Sequence, residues 1–191
     1  AWLAAGKKFK IPVSSQMLVN QKRISDRTTA LTMLPKDKQY LTGLFIGAKQ
    51  DYVARNIGRI TLFKDTEKAI NQLIKKGYKI WICTSAGKIF VKKVFNILKF
   101  LKKFEHKTVW REMYKREKPS PEALDLTIKR MNLNNFQVCY VGDAFSDYKT
   151  SIGARVKFVY FCPNSKTKDE RIPKSVPVIS SPTEFREAER R

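Results

Sequence analysis

A chain of 191 residues, 42% apolar and 12% aromatic, has the composition of a folded protein with room for a sizeable core, not that of a disordered segment. Its 39 Lys and Arg against 17 Asp and Glu leave +22, which points to polyanions: nucleic acid first, an anionic membrane surface second. No run approaches the ~18 apolar residues of a membrane span, and three cysteines without zinc-site spacing and one histidine leave little room for a multi-His metal site or His-based acid–base chemistry.

Residues 1–38 carry eight Lys and Arg against two Asp, with no sustained hydrophobic period. They read as a basic extension of the kind that lies against nucleic acid. Tyr40 to Ile46 is apolar enough for a first strand, and a loop from Gly47 to Arg59 follows. Thr66 is a helix cap, and Ala69, Ile70, Leu73 and Ile74 share one face of a helix reaching Lys76. Gly77 is placed to end it. Tyr78 to Cys83 is a short apolar run, as expected of a buried parallel strand.

Lys88 to Phe104 predicts a long helix with Phe90, Val91, Val94, Ile97, Leu98 and Leu101 facing inward. Its outer face gathers Lys88, Lys92, Lys99, Lys102 and Lys103, with no acidic residue interleaved, which favours contact with a phosphate backbone. Thr108 to Trp110 reads as a short strand. Pro119, Ser120 and Pro121 open a helix over Glu122 to Met131. Val138 to Gly142 reads as a buried strand ending in a turn. Asp143 follows, and Asp147 falls in the first turn of the next helix. Val156 to Phe161 and Val176 to Ile179 are further strands. A last helix begins at Pro182 and ends in a basic tail, Arg186 to Arg191. Alternating strands and helices predict an α/β fold with a parallel sheet. Cys83, Cys139 and Cys162 fall in or at the end of apolar runs, as reduced buried thiols do.

Carboxylates at the carboxyl end of a parallel strand are where open α/β sheets place their chemistry. Asp143 and Asp147 there, near a positive group, suit Mg²⁺, a hard cation that takes oxygen ligands. The plainer reading is that both only favour the helix N-terminus.

Three segments in order, Lys79-Ile-Trp-Ile-Cys-Thr84, Lys118-Pro-Ser-Pro121 and Gly142-Asp-Ala-Phe-Ser-Asp147, resemble motifs two, three and four of the haloacid dehalogenase-like superfamily of phosphatases and phosphotransferases. The resemblance runs from about Gln39 to Phe185 and implies a Rossmann-like parallel sheet with helices on both faces. It implies that Thr84 bonds a phosphoryl oxygen, that Lys118 offsets charge, and that Asp143, supported by Asp147, holds Mg²⁺. The family's first motif, Asp-x-Asp-x-Thr or Val, supplies the nucleophile and the acid–base at the end of the first strand. If the first strand ends at Ile46, Gly47 stands at the nucleophile and Lys49 at the acid–base, and covalent catalysis is lost. The competing alignment takes Asp26 as the nucleophile and places Thr28 at the second position. The intervals from Gly47 to Thr84 and from Thr84 to Lys118 are both too short for the cap domains that the family inserts there.

These readings divide the chain into a basic extension (1–38), an α/β core without a cap (39–185) and a basic tail (186–191). The favoured function is a non-catalytic, degenerate member that binds RNA within a large ribonucleoprotein. Ribosomal RNA and neighbouring subunits are its expected partners, through Lys7, Lys8, Lys10, Lys22, Arg23 and the lysines of 88–103. A mitochondrial ribosome is the expected particle, on charge, a start other than Met, and analogy. On that reading Gly47, Lys49, Thr84, Lys118, Asp143 and Asp147 are vestigial and no cofactor is needed. The alternative is a Mg²⁺-dependent phosphatase on a phosphorylated substrate. A third reading is a module in which Thr84 and Lys118 hold an anion without turnover.

Overall fold

The computed structural model describes residues 1–20, 26–163 and 169–190. The chain forms two compact units, Ala1–Ile60 and Thr61–Arg191.

The first unit is helical. It contains α1 (Trp2–Phe9), α2 (Ser15–Asn20), α3 (Asp26–Met33) and α4 (Thr42–Arg55), with a 3₁₀ segment over Lys36–Leu41 and another over Ile57–Arg59. Helix α4 packs on α1 and α3. Phe45 is fully buried among Ala5, Ile11, Ala30, Met33, Leu34 and Ala48. The rings of Trp2 and Phe9 lie 5.6 and 5.8 Å from its own.

Two expectations are corrected here. Tyr40 to Ile46 is not a strand, because its residues continue into α4. A short apolar run suits a strand and one face of a buried helix equally. What decides is the burial of Phe45 with Ala48 one turn on, while Leu44, the residue before Phe45, is 65% exposed. Residues 1–38 are likewise no bare extension: their helices bury Ala5, Ile11, Ala30, Met33 and Leu34, and the boundary between units falls after Ile60 rather than after residue 38. The part of the case against a cap that counted residues from Gly47 at a strand end lapses with that strand.

The second unit is α/β. In order it holds α5 (Thr66–Lys75), β1 (Ile82–Cys83), α6 (Lys88–Ile97), β2 (Thr108–Val109), α7 (Glu122–Met131), β3 (Cys139–Gly142), α8 (Phe145–Gly153), β4 (Lys157–Phe161), β5 (Val178–Ile179) and α9 (Phe185–Arg190). Among the described residues all pairings are parallel. β1 pairs with β2, Ile82 opposite Thr108, and β3-β4-β5 form a second sheet with Cys139 opposite Lys157 and Tyr160 opposite Val178. Helices cover both sides, which makes this the parallel α/β architecture expected. Helix α7 packs on β1 and β2, and its Leu124 and Ile128 also meet Val138, Tyr140, Ala154 and Val156.

Local signals carry through where they are strong. Helix α7 has the expected limits, ending at Asn132 in the left-handed conformation. Gly77, at φ 87°, follows α5 as a glycine can without strain. The long basic helix is shorter than expected: α6 ends at Ile97, Leu98 turns the chain, and residues Lys99–Lys107 continue as 3₁₀ turns. The run Tyr78 to Cys83 pairs only at Ile82–Cys83. Among the described residues no helix is long and apolar enough to cross a membrane.

Candidate active site

The site sits where β1 and β3 end. Lys118 reaches it from the loop before α7. Its ammonium donates to Asp147 Oδ1 at 2.8 Å, to the Tyr140 hydroxyl, and at 3.5 Å to the carbonyl of Cys83. Tyr140 in turn donates to the same Asp147 oxygen at 2.9 Å, closing a three-membered ring of hydrogen bonds. Asp147 Oδ2 accepts from the Ala144 amide at 3.1 Å, which ties the first turn of α8 to the strand end. Both charged side chains are nearly buried, 12% and 10% exposed. Burial, with the adjacent Asp147 charge next in size, pushes the Tyr140 hydroxyl far above its ordinary value, so it stays a protonated donor. Burial likewise raises the Cys83 thiol, and the nearby Lys118 charge opposes this.

Gly142 makes the arrangement possible. A Cβ at that position would lie 2.5 Å from Asp147 Cβ and 2.9 Å from its Oδ2. The strand end and the carboxylate approach this closely only because residue 142 has no side chain.

Thr84 follows β1. Its amide donates to the Val109 carbonyl at 2.9 Å, and Tyr114 donates to its carbonyl at 3.2 Å. The hydroxyl oxygen accepts from the Ala86 amide at 3.1 Å, a local turn that leaves its own proton to give to a ligand oxygen. Asp143, after β3, is exposed to solvent, and its charge contributes to raising Tyr140.

The donor set suits Mg²⁺, which keeps several waters and takes one or two carboxylates. Asp143 is the solvent-exposed carboxylate there. Asp147 is engaged by Lys118, Tyr140 and Ala144, so it positions rather than ligates. Among the described residues no group of three or more His, Cys, Asp or Glu is gathered as a metal site.

Thr84, Lys118, Asp143 and Asp147 thus belong to one unit, near the ends of β1 and β3. Gly47 and Lys49 do not lie at a strand end: both are within α4. Asp26 opens α3 and is held by Lys49, Nζ to Oδ2 2.8 Å. The Gly47 alignment of the first motif therefore does not find the strand it assumed, and the run that precedes Asp26 lies mostly outside the described residues. Tyr140 was missed by sequence reasoning. The available signal was a tyrosine inside an apolar strand, whose hydroxyl needs a partner once buried.

The lysines singled out for RNA are partly engaged within the chain. Lys92 pairs with Glu105 at 3.2 Å, Lys103 donates to Asn71 and sits 3.8 Å from the Phe100 ring, and Lys88 lies over Trp110. Lys7 and Lys8 are exposed on α1, and Lys10 follows it. Lys22 and Arg23 fall outside the described residues.

Comparison with known proteins extends the picture. The profile of the haloacid dehalogenase-like hydrolases matches residues 6–161. A candidate phosphoglycolate phosphatase from Lactobacillus plantarum superposes with a TM-score of 0.80 at 16% identity, covering 96% of this chain and 86% of that one. β-Phosphoglucomutase from Clostridium difficile superposes at 0.75 with 20% identity, over 96% and 83%. A family IA, variant 3 hydrolase from Entamoeba histolytica does so at 0.80 with 12% identity, over 96% and 85%. At these identities the likeness is one of fold. No curated protein matches the chain in sequence. The expectation of a chain without catalysis is overturned: the matching profile is one of hydrolases, and the Gly47 argument against a nucleophile rested on a strand that is a helix. Over residues 6–161 the chain belongs to the haloacid dehalogenase-like hydrolase family.

Proposed function

We propose that the chain serves a Mg²⁺-dependent phosphatase that acts on a phosphorylated substrate. The observation that carries this reading is the Lys118–Tyr140–Asp147 ring at the ends of β1 and β3, the strands that Thr84 and Asp143 follow. Similar structures named for phosphoglycolate phosphatase and β-phosphoglucomutase support it.

Each residue has a task in this reading. The Thr84 hydroxyl donates to a phosphoryl oxygen. Lys118 brings a fixed positive charge, held in place by Asp147 and Tyr140, and little reorganisation is needed when charge develops on the phosphoryl group. Asp143 gives Mg²⁺ an anionic oxygen. The bound ion supplies further charge neutralisation at the phosphoryl oxygens. The net charge of +22 favours the approach of anionic substrates. The family's reaction also takes an aspartate nucleophile from a strand end. Among the described strands only β3 is followed by an aspartate, and Asp143 there is the metal carboxylate.

Ligand binding is the decisive measurement. Orthophosphate and Mg²⁺ together are expected to raise the melting temperature, by ~2.7 kcal/mol of stabilisation at a hundredfold excess over Kd. Lys118→Ala and Asp143→Asn are expected to abolish that rise. No rise in the unaltered protein, or the same rise in both variants, overturns the reading. Mg²⁺-dependent hydrolysis of p-nitrophenyl phosphate, lowered at least ~100-fold in Asp143→Asn, is the accompanying expectation.

A further inference from the structure

A surface helix ordinarily turns a polar face to water, and α6 does not. Its inward side is made by Val91 and Phe95, both buried, with Val94 and Leu98 half-buried beside them. At about 3.6 residues per turn, Ile89, Lys93 and Ile97 fall on the opposite side, with Phe90 next to them. Ile89 is 74% exposed, Ile97 38% and Phe90 36%. Helix α7, of the same length, keeps the usual pattern: its exposed residues are Asp125, Lys129 and Arg130, and no large apolar side chain on it is exposed.

Charge in the same segment is one-sided. Over residues 88–107 seven lysines meet one acidic residue, Glu105. Glu105 is taken by Lys92 at 3.2 Å. Among the described residues Lys93, Lys99, Lys102 and Lys107 make no ion pair, and all four are exposed. Lys93 stands on the outer stripe between Ile89 and Ile97, and Lys99 lies just past the end of the helix. Apolar groups and uncompensated ammonium groups therefore share one surface.

We propose that the outer face of α6 docks on an anionic phospholipid bilayer. Ile89, Phe90 and Ile97 enter the boundary between headgroups and acyl chains, while Lys93 and Lys99 meet the lipid phosphates. A bilayer surface suits both halves of this face: anionic headgroups attract the lysines, and the layer beneath accepts apolar side chains. The long lysine stems can lie along the apolar groups with their charges kept at the headgroups. Nucleic acid suits only the lysines, because its backbone contacts are polar and its bases stack on aromatic rings, not on isoleucine. A second copy of this chain sets the same lysines against one another. Docking is independent of the phosphatase reading.

The test is flotation of the 191-residue chain with vesicles at physiological ionic strength, without Mg²⁺. The chain is expected to float with mixed phosphatidylcholine–phosphatidylserine vesicles and not with phosphatidylcholine alone. Ile89→Gln combined with Ile97→Gln keeps the charge and is expected to weaken binding about tenfold. Lys93→Gln keeps the apolar stripe and is expected to weaken it about fivefold. The replaced side chains are exposed, so each variant is expected to melt as the unaltered chain does. No flotation with the anionic vesicles overturns the proposal. Equal flotation with both kinds of vesicle overturns the part assigned to charge. Unchanged binding in the double isoleucine variant leaves only a basic surface and overturns it as well. Single-stranded RNA bound through the same isoleucines assigns the face to nucleic acid, and lipid-free self-association lost in that variant assigns it to a second copy; either result also overturns it.

Discussion

Lys118 Nζ stands 2.8 Å from Asp147 Oδ1, a pair from separate elements and nearly out of reach of water. Neither charge is comfortable there alone. Removing one partner of such a pair leaves an uncompensated buried charge, at a cost of roughly 3–5 kcal/mol. Asp147→Asn is therefore expected to lower stability by an amount of that order in urea unfolding. Lys118→Met combined with Asp147→Leu is expected to lose less than the two single changes added together. Additive losses refute the coupling.

Gly142→Ala places a methyl group 2.5 Å from Asp147 Cβ. Either α8 shifts or the strand end does. Overpacking of this type costs about 1–3 kcal/mol. The expected outcome is a lower melting temperature together with weaker phosphate binding, since Asp147 moves and carries Lys118 with it. A change in stability alone separates packing from site geometry.

The Asp26–Lys49 pair in the first unit is far more exposed, 39% and 23% at the two side chains. Pairs of that exposure contribute up to about 1 kcal/mol. Asp26→Asn is expected to change stability by no more than that, and to leave phosphate binding and any Mg²⁺-dependent hydrolysis unaltered. A selective loss of hydrolysis would restore Asp26 as the nucleophile.

Cys139 lies in β3, and burial pushes its thiol from 9.0 up to about 12. The folded state therefore holds the proton over a pH range in which the unfolded chain releases it. Stability from this group is complete below pH 9.0 and is lost as pH rises toward 12. Burial raises Tyr140 in the same sense. Two measurements check this: melting temperature against pH from 8 to 10.5, expected to fall, and alkylation of Cys139, expected to stay slow at pH 9 because the thiolate is the reactive form. Rapid alkylation of folded protein at that pH contradicts it.

Much of the second unit was legible because its signals are local. Pro121 and the periodicity of 122–131 place α7, and Gly77 marks the end of α5. The order of Thr84, Lys118 and Asp143-x-x-x-Asp147 identified the family before any distance was known. Reading Tyr40 to Ile46 as a strand failed for a physical reason. Seven mostly apolar residues serve two periodicities, and only the burial of Phe45 with Ala48 in one core, while Leu44 stays exposed, selects the helix. The functional error followed from that one, since Gly47 at a strand end removes a nucleophile whereas Gly47 within a helix says nothing of one.

The sequence by itself determined the α/β class and the family, because these depend on short-range patterns of apolar and turn-forming residues. The tertiary structure decided the surroundings of each carboxylate. Asp147 is engaged by Lys118 and Tyr140, while Asp143 is exposed to solvent, and nothing in their spacing distinguishes them. It also decided that β1 pairs with β2 and β3 with β4, since strand pairing is a long-range relation that no local window contains.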